Sequence, residues 1–187
     1  MRFFANVTLL VAAMLATPVM SFAQVTPEYD RDHFRGWADT DRDCLNTRHE
    51  LLAQLSTSPV MMSENRCRVM RGRWLDPYTD VIFTDSSDLD IDHLVPLHWA
   101  WMHGAWAWSD TVRSDFANDP RNLFAVDDGT NREKGAKGPL EWLPPSSDFA
   151  CQYAGRFWRV VLIYGLVVEE PEAKAMQRQR AIVCAGG

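Results

Sequence analysis

Four cysteines, Cys44, Cys67, Cys151 and Cys184, restrict the choice of fold once the residues ahead of them are considered. Residues 1–23 carry Arg2, an apolar run from Val7 to Ala16, and Ser21-Phe22-Ala23 as a small-x-small cleavage site, the three parts of a signal peptide. The apolar run is too short for a membrane span, and Thr17-Pro18 interrupts it. The expected mature protein therefore starts near Gln24 and is secreted or periplasmic, where thiols oxidise. No two cysteines form a CxxC and none lies near a His-x-x-x-His, which excludes the usual structural zinc pattern and favours two disulfides. Three pairings are open. Cys44 with Cys67 and Cys151 with Cys184 is preferred, because each bridge would staple neighbouring elements at one end of the chain.

Removing the peptide takes away Arg2 and no acid, which leaves 18 basic side chains against 25 acidic ones. A chain with that balance does not grip a polyanion with its whole surface, so any basic contact surface must be local. Residues 24–187, with eight tryptophans, suit one domain around a single core.

Gln24 to Gly36 is polar and aperiodic and is expected to be a mobile lead-in. Thr47 and Glu50 have the spacing of a capping box ahead of Leu51, Leu52 and Leu55, which predicts a helix. Asp39, Asp41, Asp43 and Glu50 also fall at ligand positions of a calcium loop, although Cys44 stands where glycine would make the turn; the capped helix is the preferred reading and calcium the alternative. From Cys67 to Phe83 the signals are β: imperfect alternation through Trp74, a bulge at Gly72, and a turn at Asp76-Pro77. Arg71 and Arg73 sit here, on a charged strand edge or a phosphate-binding face. Leu97 to Trp108 has helical spacing, Arg113 to Asp119 reads as a polar connection, and two helices are expected after Ser147, the second with Pro171 in its first turn.

The remaining stretch carries the chemistry. Asp90-Ile91-Asp92-His93-Leu94-Val95-Pro96 reads as a strand that ends by delivering a carboxylate and an imidazole together. Asn122 to Val126 reads as a second strand, and Thr130-Asn131-Arg132-Glu133-Lys134 as the first turn of a helix. The sequence DxDHxxP, then Asn122-Leu123, then NRxK at Asn131 to Lys134, resembles the HNH endonuclease signature. These elements are similar to those in the nuclease domain of RNA-guided CRISPR effectors, and the overall likeness is to small secreted HNH-family proteins. Cys44-x-x-Thr47-Arg48, Gly72-x-Trp74-x-Asp76-Pro77-Tyr78-Thr79 and Phe116 to Leu123 look like further pieces of the latter, so the resemblance covers Asp39 onwards.

The resemblance implies an α+β fold: a ββα-metal core with a preceding β-hairpin and flanking helices, stapled by disulfides. It implies phosphodiester hydrolysis in nucleic acid, DNA before RNA, with His93 as general base and Asn122 orienting its ring. Asp92 and Asn131 would hold one divalent cation. Asp90 would support them, and Lys134 would clamp the phosphate. Arg71, Arg73, Arg121, Arg132 and Lys137 are the further candidates for substrate contact. An aspartate replaces the first histidine of the HNH name and an asparagine the last, so the oxygen donors suit Mg2+ or Mn2+ better than zinc. The competing expectations are a non-catalytic binding or scaffold protein on the same fold, and a phosphodiesterase acting on small molecules.

Overall fold

The computed structural model describes residues 25–186, so the expected signal peptide lies outside the described residues. Among them no helix is long and apolar enough to cross a membrane. The chain is mixed α+β with two small sheets and two disulfides, which join Cys44 to Cys67 and Cys151 to Cys184.

The lead-in is ordered, contrary to expectation. Arg31–Phe34 forms a 3-10 turn whose Phe34 is fully buried against Trp101 and Phe116, and the Trp101 indole N–H donates to the Pro27 carbonyl at 2.8 Å. One buried aromatic ring removes enough apolar surface to hold a short segment that shows no periodicity.

Helix α1 (Thr47–Leu55) is capped one residue earlier than predicted: Asn46, not Thr47, accepts from the His49 N–H. Thr47 instead donates its hydroxyl to Asn118 Oδ1 at 2.7 Å. Strands β1 (Met61–Met62), β2 (Val69–Leu75) and β3 (Ile82–Asp85) make the first sheet, antiparallel in that order. The β2–β3 register slips between Arg71 and Trp74, as the bulge at Gly72 predicts. A Cβ on Gly72 would stand 2.6 Å from the Trp74 ring and 2.7 Å from Ser56 Oγ, so the close approach of that ring requires glycine.

The second sheet is β4 (Leu89–His93) paired antiparallel with β5 (Leu123–Asp127). Between them, the single helix expected over Leu97 to Trp108 is broken. Helix α2 (Leu97–Met102) ends before Gly104, whose φ of 106° no other residue adopts cheaply, and a 3-10 turn follows. The expected polar connection is also wrong: α3 (Asp110–Asn118) is a helix capped by Ser109, with Arg113, Phe116 and Ala117 buried. Its apolar stripe is too sparse to be legible as a period. Helix α4 (Asp128–Lys134) follows β5 directly, with the Asp127 carboxylate accepting from the Thr130 N–H and Gly135 ending it at φ 52°.

Helices α5 (Ser147–Tyr164) and α6 (Glu170–Ala185) close the chain, with Gly165 in the left-handed region after the first and Pro171 in the first turn of the second. The Cys151–Cys184 bridge ties them together, and the Cys44–Cys67 bridge ties the start of α1 to the start of β2. The main core gathers Phe34, Tyr78, Trp99, Trp101, Phe116, Tyr153 and Phe157 from all parts of the chain. A second core, with Leu52, Val69, Trp74, Leu89, Ile91 and Leu123, lies between the two sheets and α1.

Candidate functional site

Strand alternation decides what β4 offers. Leu89 and Ile91 enter the second core, so Asp90 and Asp92 take the opposite face, towards α4. On α4, Asn131 and Lys134 are three apart and share one face. The two periods meet in two rungs: Asn131 Nδ2 donates to Asp90 Oδ2 at 3.0 Å, and Lys134 Nζ donates to Asp92 Oδ1 at 2.9 Å. The spacing of DxD and NRxK is thus the spacing at which a strand and a helix can face each other.

Lys134 is fully buried, and its second bond goes to the His93 carbonyl at 2.9 Å. That overturns its expected place on the phosphate, since an ammonium with no exposed surface and two internal acceptors cannot reach a substrate. The other oxygen of Asp92 accepts from the Tyr78 hydroxyl at 2.6 Å. Burial pushes Asp92 up and Lys134 down, each towards its neutral form, and each is held back by the charge of the other. Tyr78 is itself fully buried, and its backbone N–H donates to Asp76.

His93 ends β4 with its ring almost wholly buried. Its Nε2 lies 2.8 Å from the Ala117 carbonyl, which can only accept, so Nε2 carries the proton and Nδ1 keeps the lone pair. The Trp37 indole stacks on the same ring, with centroids 5.2 Å apart and planes within 5°. Burial depresses the imidazole from 6.5 to about 3, against the raising effect of the Ala117 bond, and the charges of Arg31 and Lys134 lower it further. A neutral imidazole is therefore held in a fixed tautomer at any pH near 7.

Asn122 does not orient that ring, as had been expected. Its Oδ1 accepts from the Val95 N–H at 2.8 Å, its Nδ2 donates to the Val95 carbonyl at 3.2 Å, and its own carbonyl accepts from the Leu94 N–H at 2.8 Å. The buried amide fixes the turn that leaves His93, and Ala117 of α3 holds the ring instead.

His93, Asp92 and Asn131 line one cavity of about 230 Å3, together with Tyr29, Arg31 and His98. A second cavity, of about 190 Å3, lies against His93, Trp37, Arg31 and Ala117. A larger one of about 590 Å3 sits beside the Cys44–Cys67 bridge and contains none of these groups, so size is no guide to the chemistry here. Tyr29, Arg31, Trp37 and Tyr78 were not picked out by sequence reasoning. For Tyr78 the Asp76-Pro77-Tyr78-Thr79 piece of the resemblance was the available signal; for the other three there was none.

The remaining candidates lie elsewhere. Arg71 pairs with Asp85 at 3.3 Å, Arg73 donates to Thr57, Arg121 forks onto Asp119, Arg132 pairs with Asp128, and Lys137 donates to the Glu133 carbonyl. None of the five lines either cavity at His93. The carboxylates of Asp39, Asp41 and Asp43 do converge, within 4.8 Å of one another, and their charges help raise Glu50. All three are exposed, and backbone N–H groups of Cys44 and Leu45 already donate to Asp39 and Asp43.

A hard divalent cation fits the donors at His93. Each Asp92 oxygen accepts one bond and keeps a lone pair, and Asn131 has committed Nδ2 to Asp90, which leaves Oδ1 as its free ligand atom.

A secreted protein of uncharacterised function from Arthroderma benhamiae is 36% identical over 172 residues, covering 88% of this chain and 83% of that relative. No solved structure matches the chain. The family described as "GmrSD restriction endonucleases, C-terminal domain" matches residues 36–179, which span both sheets and α4, and the chain belongs to that HNH-type family.

Proposed function

We propose that the protein is an exported, metal-dependent endonuclease that hydrolyses phosphodiester bonds of nucleic acid, DNA in preference to RNA, with little sequence preference. One observation carries the reading: a neutral imidazole with its Nε2 proton tied to a carbonyl and its Nδ1 free, on the wall of a cavity that also holds one carboxylate and one amide oxygen. His93 Nδ1 takes a proton from the attacking water, whose oxygen bonds to phosphorus as the bond to O3′ breaks. The products then carry 5′-phosphate and 3′-hydroxyl. A divalent cation, Mg2+ or Mn2+, would be held by Asp92 and Asn131 and would neutralise charge on the phosphate and the departing oxygen. Asp90 holds the Asn131 amide so that its oxygen remains free. Nothing in the sequence resembles a base-reading module, so the contacts are mainly to the backbone.

The test is cleavage of plasmid, linear DNA and RNA by oxidised protein lacking residues 1–23, with and without a chelator. His93→Ala should lose about two to four orders of magnitude and should not be rescued by added metal. Asp92→Ala should regain part of its activity as Mg2+ or Mn2+ is raised. Binding of nucleic acid without any metal-dependent cutting would replace this reading with a scaffold role. Activity confined to a chromogenic phosphodiester would replace it with a small-molecule phosphodiesterase.

A further inference from the structure

We infer that Arg31 is the cation that grips the scissile phosphate, delivered to the site by the N-terminal segment rather than by the sheet or α4. The inference rests on the nuclease reading above for its substrate, and on three independent observations for the residue.

The first is position. Arg31 and Leu97, like His93 itself, line both cavities, so the arginine stands on the saddle between them. A strand crossing His93 with one nucleotide in each cavity would put its intervening phosphate on that saddle.

The second is availability. Every cation proposed from sequence is spent on the protein itself, Lys134 on Asp92 and the five others as described. Arg35, also at the second cavity, pairs with Asp110 at 3.6 Å. Arg31 is exposed and, among the described residues, has no carboxylate within 4.0 Å. Its neighbour Asp30 is occupied in accepting from the Asp32 N–H. The site needs such a group: Lys134 cancels the charge of Asp92, no other described cation faces the cavity, and a phosphodiester gains charge as it is attacked.

The third is rigidity. The segment is bolted down on both sides of Arg31. Tyr29 packs on His98 with centroids 4.7 Å apart, His33 stacks on Trp101 at 5.0 Å and 4°, Phe34 is buried, and Arg113 Nε donates to the His33 carbonyl at 3.2 Å. A fixed backbone leaves only the Arg31 side chain to be ordered, and its planar guanidinium can give two parallel N–H donors to two phosphate oxygens.

The experiment compares Arg31→Ala, Arg31→Lys and, as a control on α6, Arg178→Ala. On a chromogenic ester with a single phosphodiester, Arg31→Ala should lower kcat by about 100-fold or more, Arg31→Lys by less, and Arg178→Ala not at all. Binding is read separately in a His93→Ala background, in chelator, with a 12-nucleotide DNA strand followed by fluorescence anisotropy. There Arg31→Ala should raise Kd about tenfold and reduce the salt slope by about 0.7, the loss of one phosphate contact. All variants should melt with their parents, because Arg31 is exposed. If wild-type protein cuts nothing but Kd still depends on Arg31, the anion site stands and the nuclease reading fails. Unchanged kcat and Kd in Arg31→Ala overturn the inference while the nuclease reading survives, and so does a loss of activity that follows a fall in Tm and is not eased by lysine.

Discussion

Replacing Lys134 with methionine separates two accounts of the same residue. If Lys134 clamped substrate, the variant would fold normally and cut poorly. The structure instead makes it the buried partner of Asp92, 2.9 Å away, with Tyr78 on the other oxygen. Removing one member of a buried pair costs about 3–5 kcal/mol, because the remaining charge has lost its counter-ion but not its burial. Asp92 can escape by taking up a proton, which sets a ceiling. At pH 7 protonating a carboxyl of ordinary pKa costs about 4 kcal/mol, and at pH 5 about 1.5 kcal/mol. The sign follows from a folded pKa raised above the unfolded one: the penalty is absent well below pH 4 and grows as the pH rises. For a domain of this size each kcal/mol is about 2–4 °C. Lys134→Met should therefore lower Tm by about 8–16 °C at pH 7 and by about 3–6 °C at pH 5, followed by circular dichroism with the disulfides intact. In an Asp92→Asn background the same change should cost much less at either pH, since the two side chains are coupled. A variant that melts within about 1 °C of wild type at pH 7, or a penalty that does not shrink on acidification, would refute the buried-pair account.

The depressed His93 predicts a cleavage profile without a limb near 6.5, because the base form persists down to about pH 3; Trp37→Ala, which wets the ring, should move the acid limb up towards 6.5, and a wild-type limb already at 6.5 would contradict the burial argument. Replacing both cysteines of either bridge by serine should cost about 3–4 kcal/mol, from closed loops with sequence separations of 23 and 33; urea denaturation measures it, and a loss under 1 kcal/mol at both bridges would show that the unfolded chain is already constrained by other means.

What the sequence reveals about the site depends on whether a side chain's partner lies within a repeating pattern. Asp90, Asp92, Asn131 and Lys134 are legible because DxDH and NRxK resemble the HNH signature, and the structure gives the physical reason for the two spacings: a strand of period two faces a helix with a three-residue step. The pattern does not say which of the cations beside it is turned inward. Lys134 and Lys137 are three apart on the same short stretch, yet one is buried on a carboxylate and the other donates to a backbone carbonyl at the surface. Asn122 is singled out by the Asn122-Leu123 element of the resemblance, but its amide serves Val95 and not His93. Arg31 and Trp37 were beyond reach, since their segment forms one 3-10 turn held by Tyr29, His33 and Phe34 packing on residues far along the chain, contacts that no periodicity announces. The same limit produced the errors at Gly104 and α3, where one backbone angle and a sparse apolar face decide the structure.

The electrostatics of the two acidic groups of the chain point to different uses. Asp39, Asp41 and Asp43 are exposed, close together and not paired with a cation in the described structure, so water and salt screen their repulsion. Asp92 has no such help: it is buried, and only Lys134 and the Tyr78 hydroxyl make its charge tolerable. Lys134 and the Tyr78 hydroxyl oppose the burial that pushes the Asp92 carboxyl up, and the charged pair with Lys134 has no net charge. A cation at Asp92 and Asn131 would meet one carboxylate whose charge is already balanced, and its affinity should be lower than that of a site with two free acids. A phosphodiester entering the cavity supplies the missing anionic oxygens, so cation and substrate should each strengthen the binding of the other. Because such coupling is reciprocal, the dissociation constant for Mg2+ measured with His93→Ala should fall on adding a DNA strand by the same factor that Mg2+ lowers the dissociation constant for the strand.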